Sequence, residues 1–277
     1  MKKIIVAMDF SQGSMNALNY AVDVALSAHS EILMLWVDSN IEEKYGVGEK
    51  NEVRQDAKLE LKSIIETKKA EHEELKITYK LRKGKVYQEL ASQANSCEAD
   101  LVVVGTHGIG GFEEFWVGSN AFKIISYAPC PVISVRTDFT AKGSIKNIVL
   151  PIDDSFDTTK KVPMAAKLAK TFGANIQLLS VYYSELTSLK KITDNNVKET
   201  KRFLQRKGVI TNVKSCVSNN VSTSIVKYAE DLNADLIVIM TDQDKASKDI
   251  IMGINSQQMI NRSSIPILSV KPDKMEF

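Results

Sequence analysis

The stretch Leu101-Val-Val-Val-Gly-Thr-His-Gly-Ile-Gly-Gly-Phe-Glu-Glu-Phe-Trp-Val-Gly-Ser-Asn120 decides how this chain is read. Its apolar head, Leu101 to Val104, is short and uninterrupted, the pattern of a parallel strand covered on both faces. Gly105 opens a glycine-rich segment, and Ala121-Phe-Lys-Ile-Ile-Ser126 can continue as a helix from a start at Gly118-Ser119-Asn120. Strand, glycine loop and helix start, in that order, suit a phosphate. Glycine lets backbone approach an anion with no side chain in the way. The first turn of a helix leaves N–H groups unpaired at the positive end of its dipole. Ser119 and Asn120 add hydroxyl and amide donors. A surface loop with a Ser/Asn cap explains the glycines equally well, so the surroundings of the loop must decide.

Those surroundings are written twice. Lys3-Ile-Ile-Val-Ala-Met-Asp-Phe-Ser11 has its counterpart in Asn147-Ile-Val-Leu-Pro-Ile-Asp-Asp-Ser155, each a strand ending in Asp before a Ser-containing helix start. Helical periodicity follows both, through Met15, Leu18, Val22 and Ala25 and through Val162, Ala165, Leu168 and Phe172. Ile32 to Val37 answers Ile176 to Val181, Ala99 to Val104 answers Ala234 to Ile239, and Cys130 to Val135 answers Ile265 to Val270. Paired landmarks in one order mark a tandem duplication. Domains are expected at 1–138 and 145–277, joined near Thr137 to Ser144, where Gly143 and polar residues form a linker.

Within each half the order reads β-α-β-α-β-α-β-α-β. A charged helix after Val37 carries the apolar stripe Val53, Ala57, Leu61, Ile64 and Ile65. The third strand, Lys76-Ile-Thr-Tyr-Lys-Leu-Arg82, alternates polar and apolar residues, as a half-exposed edge strand does. Strands alternating with helices imply a parallel sheet with right-handed crossovers. An edge third strand beside buried first and fourth strands fits the order 3-2-1-4-5. Ligands of such sheets bind at the point where the chain reverses direction, outside the carboxyl ends of the strands. Asp9 ends the first strand and Gly105 the fourth, so both face one crevice. This context favours the phosphate reading of the loop.

Composition narrows the classes. Of 277 residues 44% are hydrophobic and 25% charged, with a net charge of +2, so nothing favours nucleic acid as a partner. No window of about 18 apolar residues spans a membrane. Asp9 cuts the first apolar run too early for a signal peptide. Cys97, Cys130 and Cys216 are scattered without metal or redox spacing, and a reduced, cytoplasmic protein is expected. The three histidines do not make a metal site. Cys97 and Cys130 are expected to be buried fillers.

The first half resembles the universal stress protein family, whose nucleotide-binding members carry Gly, two residues, Gly, nine residues, then Gly-Ser. Gly105, Gly108, Gly118 and Ser119 match that spacing, and Asp9-Phe-Ser11 and Thr106-His107 are similar to the family as well. The resemblance covers the chain as two copies. It implies two Rossmann-like domains of the adenine nucleotide alpha hydrolase-like type, with helices on both faces of each five-stranded sheet. It also implies ATP, or ADP or AMP, with Mg²⁺ shared by the phosphates. Carried over onto matching positions, Ala7, Met8 and Asp9 border adenine and ribose, and Val37 offers backbone groups to the adenine edge. Val104 and Gly105 flank the ribose, and Gly108, Gly118, Ser119 and Asn120 hold the phosphates. His107 positions the loop or approaches the phosphates. Single-domain members pair as homodimers through their last strands. A tandem chain is therefore expected to pair internally through Val132–Val135 and Ile267–Val270, with a further dimer of chains open.

The second copy departs from this pattern. Met240-Thr-Asp-Gln243 stands for Gly105-Thr-His-Gly108, and Gly253-Ile254 for Gly118-Ser119. Bulk and the charges of Asp242 and Asp244 oppose phosphate there. One competent site per chain is expected, with the second half a pairing partner or a binder of something else. Asp153 reads most simply as the polar end of a strand. No residue is assigned to catalysis: His-x-Gly-His, Ser-Gly-Gly and Gly-Lys-Ser/Thr strings are absent, and only Glu113 and Glu114 lie in the loop. The expected function is an ATP-binding stress-response or signalling module with little or no hydrolysis. The alternatives are a slow ATPase or adenylyl-transferring enzyme using His107 and Asp9, and a nucleotide-independent interaction protein. The intact glycine spacing speaks against the last.

Overall fold

The computed structural model describes residues 1–39, 47–106, 118–140, 143–241 and 253–271, with the backbone alone for residues 47–50. The chain divides into two compact units, with the division between Thr137 and Asp138.

The N-terminal unit runs β1 (Lys3–Met8), α1 (Gln12–Ala28), β2 (Glu31–Asp38), α2 (Val47–Glu71), β3 (Lys76–Lys83), α3 (Val86–Ser96), β4 (Leu101–Gly105), α4 (Ser119–Tyr127) and β5 (Val132–Val135). Its strands pair in parallel in the order β3-β2-β1-β4-β5. Right-handed crossovers put α1 and α2 on one face and α3 and α4 on the other, and α3 packs against α4. The continuous apolar runs are the central strands: Ile4, Ile5 and Val6 of β1 and Leu101, Val102 and Val103 of β4 are fully buried. At the edge, β3 alternates, hiding Ile77 while Lys76, Thr78 and Lys80 face solvent. In α2 the expected stripe turns inward, with Ala57, Leu61 and Ile64 buried.

Local signals end these elements. Ser11 caps α1, its Oγ accepting the Ser14 N–H at 3.2 Å. At the other end His29 adopts a left-handed φ of 49° and donates its N–H to the carbonyls of Ala25 and Leu26, a role more often given to glycine.

The C-terminal unit repeats the plan with β6 (Asn147–Ile152), α5 (Val162–Phe172), β7 (Asn175–Tyr182), α6 (Thr187–Arg206), β8 (Thr211–Val217), α7 (Val221–Asp231), β9 (Leu236–Met240), α8 (Ile254–Arg262) and β10 (Ile267–Val270). The order is β8-β7-β6-β9-β10, all parallel. Among the described residues no helix is long and apolar enough to cross a membrane. Cys97 and Cys130 are half-buried, not the buried fillers expected.

Candidate functional site

In the N-terminal unit the reversal point lies between β1 and β4, where Val6 pairs with Val103. One strand over, Met8 pairs with Trp36, so Asp9, just past β1, and Val37, next to last in β2, lie side by side at the carboxyl edge. Ala7 is half-buried and Met8 buried at the end of β1, whereas Asp9 is exposed. Asp9 Oδ1 accepts from Ser11 N (3.0 Å) and Ser11 Oγ (2.5 Å), closing a turn over Phe10, whose φ is +64°. A left-handed phenylalanine is strained by about 1 kcal/mol or more, and those two bonds hold it. The turn delivers the Asp9 carboxylate and the start of α1 to one place.

Gly105 closes β4 opposite Val135. A Cβ built on it would stand 2.5 Å from the carbonyl carbon of Gly13, 2.6 Å from its oxygen and 2.9 Å from Ser14 N. The glycine therefore exists here so that the first turn of α1 can rest directly on the strand end, a packing role beside the ligand role expected of it. Just beyond, Thr106 is buried, donates its N–H to Val135 O (2.9 Å) and accepts the Gly118 N–H at 2.6 Å. That second bond ties the start of α4 to the end of β4. Gly118 has φ −52°, open to any residue, but its Cβ position lies 3.1 Å from Thr106 O. Ser119 and Asn120 follow, exposed on the first turn of α4, where the earliest helical bond runs from Phe122 N to Gly118 O. So Ala7, Met8, Asp9, Val37, Val104, Gly105, Gly118, Ser119 and Asn120 share the carboxyl edge of one sheet. His107 and Gly108 lie outside the described residues.

Gly13 and Asn16 carry little signal in the sequence, and Thr106 is legible there only as part of the family pattern, with no sign of its packing role. Gly13 pairs with Gly105, and its only mark is a glycine inside a helix start. Thr106 is the clamp for α4. Asn16 donates from Nδ2 to Thr137 O (2.6 Å) and accepts from Gln12 Nε2 (2.7 Å), tying the exit of β5 to α1.

The C-terminal unit keeps the Asp-x-Ser turn: Asp153 Oδ1 accepts from Ser155 N (3.0 Å) and Ser155 Oγ (2.6 Å). Beyond that turn the two units diverge. Met240 stands where β4 has Gly105, and Asp157 where α1 has Gly13. No helix start can rest as closely on a strand end that carries a side chain, and α5 has 11 residues against 17 in α1, preceded by turns. In the unwound stretch Lys161 is buried, donating from Nζ to Thr158 O (2.8 Å) and Thr158 Oγ1 (3.3 Å). Burial disfavours the charge of Asp153, but the Lys161 ammonium and the bonds from Ser155 and Thr158 outweigh it and hold its carboxyl below the ordinary range. Asp153 is thus one half of a charge pair, more than the polar strand end expected. Its own carbonyl accepts from Asn196 Nδ2 (2.9 Å). Among the described residues no group of carboxylates, histidines and cysteines could hold a metal ion.

Comparison with known proteins returns the same two copies. The model described as the universal stress protein family matches residues 1–136 and again 144–271. The universal stress protein YxiE of Bacillus subtilis is 30% identical over 145 residues, 48% of this chain and 98% of that protein. A universal stress protein of Methanocaldococcus jannaschii is 28% identical over 142 residues, 49% of this chain and 82% of its own. Among solved structures, a universal stress protein from Archaeoglobus fulgidus has a TM-score of 0.78 at 17% identity, covering 98% of both chains, and shares the fold.

Proposed function

The chain belongs to the universal stress protein family, as two tandem copies, and we propose that its N-terminal half binds an adenine nucleotide as a response module with little or no hydrolysis. One observation carries this reading. The first turn of α4, with Ser119 and Asn120 exposed, is fastened to the carboxyl end of β4 by the 2.6 Å bond from Gly118 N to Thr106 O. A helix start held at a topological switch point is the place where an α/β sheet takes an anion.

The residues fit such a ligand. Ser119 and Asn120 are uncharged donors, and Gly118 keeps side-chain bulk off the approach to the helix start. The Asp9 carboxylate is exposed, both its Ser11 bonds fall on Oδ1, and it suits the hydroxyls of a ribose. In this reading Ala7 and Met8 border adenine and ribose with Asp9, and Val37 meets the adenine edge through its backbone. Val104 and Gly105 flank the ribose, while Gly108, Gly118, Ser119 and Asn120 receive the phosphates beside His107. ATP is the preferred nucleotide, and Mg²⁺ would come with its phosphates and neutralise part of their charge. Nothing in the sequence supplies a motif for activating water, which favours a module that reports bound nucleotide over an ATPase.

Nucleotide content of the purified protein tests this reading. Denaturation followed by ion-exchange chromatography should release about one ATP per chain, lost in Gly118→Glu and kept in Gly253→Glu. Added ATP-Mg²⁺ at 100 times Kd should stabilise the emptied protein by about 2.7 kcal/mol. An emptied protein whose melting temperature ignores ATP-Mg²⁺ refutes the reading, and ADP with steady phosphate release converts it to an ATPase.

A further inference from the structure

We infer that the carboxyl-edge crevice of the C-terminal unit is a second binding site, for a small uncharged ligand rich in hydroxyl groups. The crevice has a volume of about 490 Å³ and is lined by Asp153, Tyr183, Asn219, Asn220, Asn255 and Gln258. That size lies in the range of small-molecule sites. Its walls come from four places in the fold. Asp153 follows β6, Tyr183 follows β7, Asn219 and Asn220 precede α7, and Asn255 and Gln258 lie on the first turns of α8.

The chemistry of the wall selects the ligand. Among the described residues no lysine, arginine or histidine lines the crevice. Lys161 is 4% exposed and turned to Thr158, so it compensates Asp153 from within the protein and offers no cation to a phosphate. Where Ser119 stands in the N-terminal unit, α8 opens with Ile254, which has no donor to offer. The Asp154 carboxylate, which holds the Tyr183 hydroxyl, adds negative charge beside the crevice, and this repels anions. Carboxylate and amides together accept from hydroxyls and donate to them, the pattern that vicinal diols satisfy.

The groups are held in place before any ligand arrives. Asn220 caps α7, its Oδ1 accepting the Thr223 N–H at 3.2 Å. Buried Ser222 has its Oγ 2.6 Å from Gln258 Oε1 and 3.1 Å from Asn220 Oδ1, which joins the amides of α7 and α8. Tyr183 donates its hydroxyl to Asp154 Oδ1 at 2.6 Å, and its ring, 48% exposed, stands at the wall as a flat apolar face. Fixed polar groups with one aromatic face suit a sugar or a nucleoside, and the two share the diol.

The test uses the whole chain carrying Gly118→Glu, with adenosine, ribose and ATP-Mg²⁺ as probes in titrations followed by ligand-observed NMR. Adenosine or ribose should bind there. Asp153→Asn and Asn255→Trp, each added to that background, should weaken the binding about tenfold or more, the loss of a charge-assisted bond or of the space. Asn255 is exposed on the first turn of α8, so its variant answers even where loss of Asp153 unsettles the fold. Binding of both probes assigns the sugar as the recognised part, and binding of adenosine alone assigns the nucleoside. Absence of binding, binding indifferent to both crevice variants, or ATP bound more tightly than adenosine in this background overturns the inference. Failure of the N-terminal nucleotide reading is separate: it shows as no ATP bound by the unaltered chain, with the crevice response intact.

Discussion

Replacing Gly105 with alanine puts a carbon where the structure has helix backbone. The added Cβ would lie 2.5 Å from Gly13 C and 2.6 Å from Gly13 O, while ordinary carbon contacts need about 3.5–4.0 Å. The start of α1 would have to retreat by about 1 Å. It is not free to do so. Ala17, Leu18 and Ala21 are fully buried, and Asn16 is bonded to Thr137 O. Overpacking costs about 1–3 kcal/mol, and backbone on the receiving side puts this case at about 3. For a unit of this size that is about 12 °C in Tm. Trp36 lies in β2 of the N-terminal unit, so in a Trp116→Phe background tryptophan fluorescence during heating follows that unit. Gly118→Ala is the matched comparison, with a 3.1 Å contact to Thr106 O and an unrestricted φ, and should lose about 1 kcal/mol. A Gly105→Ala shift no larger than that of Gly118→Ala refutes the claim that Gly105 is there to seat α1.

Asp153→Asn leaves Lys161 buried without its charge partner and should cost about 3 kcal/mol at pH 7 in urea unfolding followed by circular dichroism. Because folding lowers the Asp153 pKa, its contribution is present above the unfolded value and lost as pH falls through the folded one. The gap between the two proteins should therefore close below about pH 4, and an equal gap at pH 3 and pH 7 contradicts the pairing. Asn16→Ala strands the Thr137 carbonyl and should cost about 1–2 kcal/mol by the tryptophan signal in urea; no change in midpoint would mean the tether is idle. Tyr183, held by its bond to the Asp154 carboxylate, has its phenol pushed up to about 12, so the absorbance difference between the native chain and Tyr183→Phe should rise near pH 12, not near 10.

Much of this protein was legible from residue order alone. Uninterrupted apolar runs at Lys3–Met8 and Leu101–Gly105, against the alternation of Lys76–Lys83, report which strands are covered on both faces and which lies at an edge. With right-handed crossovers those patterns leave the order 3-2-1-4-5, the one observed in each unit. Periodicity and capping act over a few residues, and for that reason a string of letters carries them: the helix start at Gly118-Ser119-Asn120 is the start of α4. The duplication is legible for the same reason, since each local pattern occurs twice.

Contacts between distant segments obey no such local rule. Gly105 reads as a residue that makes way for a ligand, and the fold seats it on Gly13. Nothing in the residue order marks Lys161, and the fold buries it with Thr158 opposite Asp153. Asn16 carries no signal until α1 and β5 are set side by side, and Thr106, legible only as part of the family pattern beside His107, shows its part as a clamp once α4 is in place. Residue order determined which segments are strands and helices, their sequence in the sheet and the carboxyl edge at which Asp9, Gly105 and Gly118 gather, because hydrophobic period and chain chirality are properties of neighbours. Only the tertiary structure decided how closely a helix rests on a strand end and which charges are compensated there, because those depend on a few tenths of an ångström between residues that the chain itself keeps far apart.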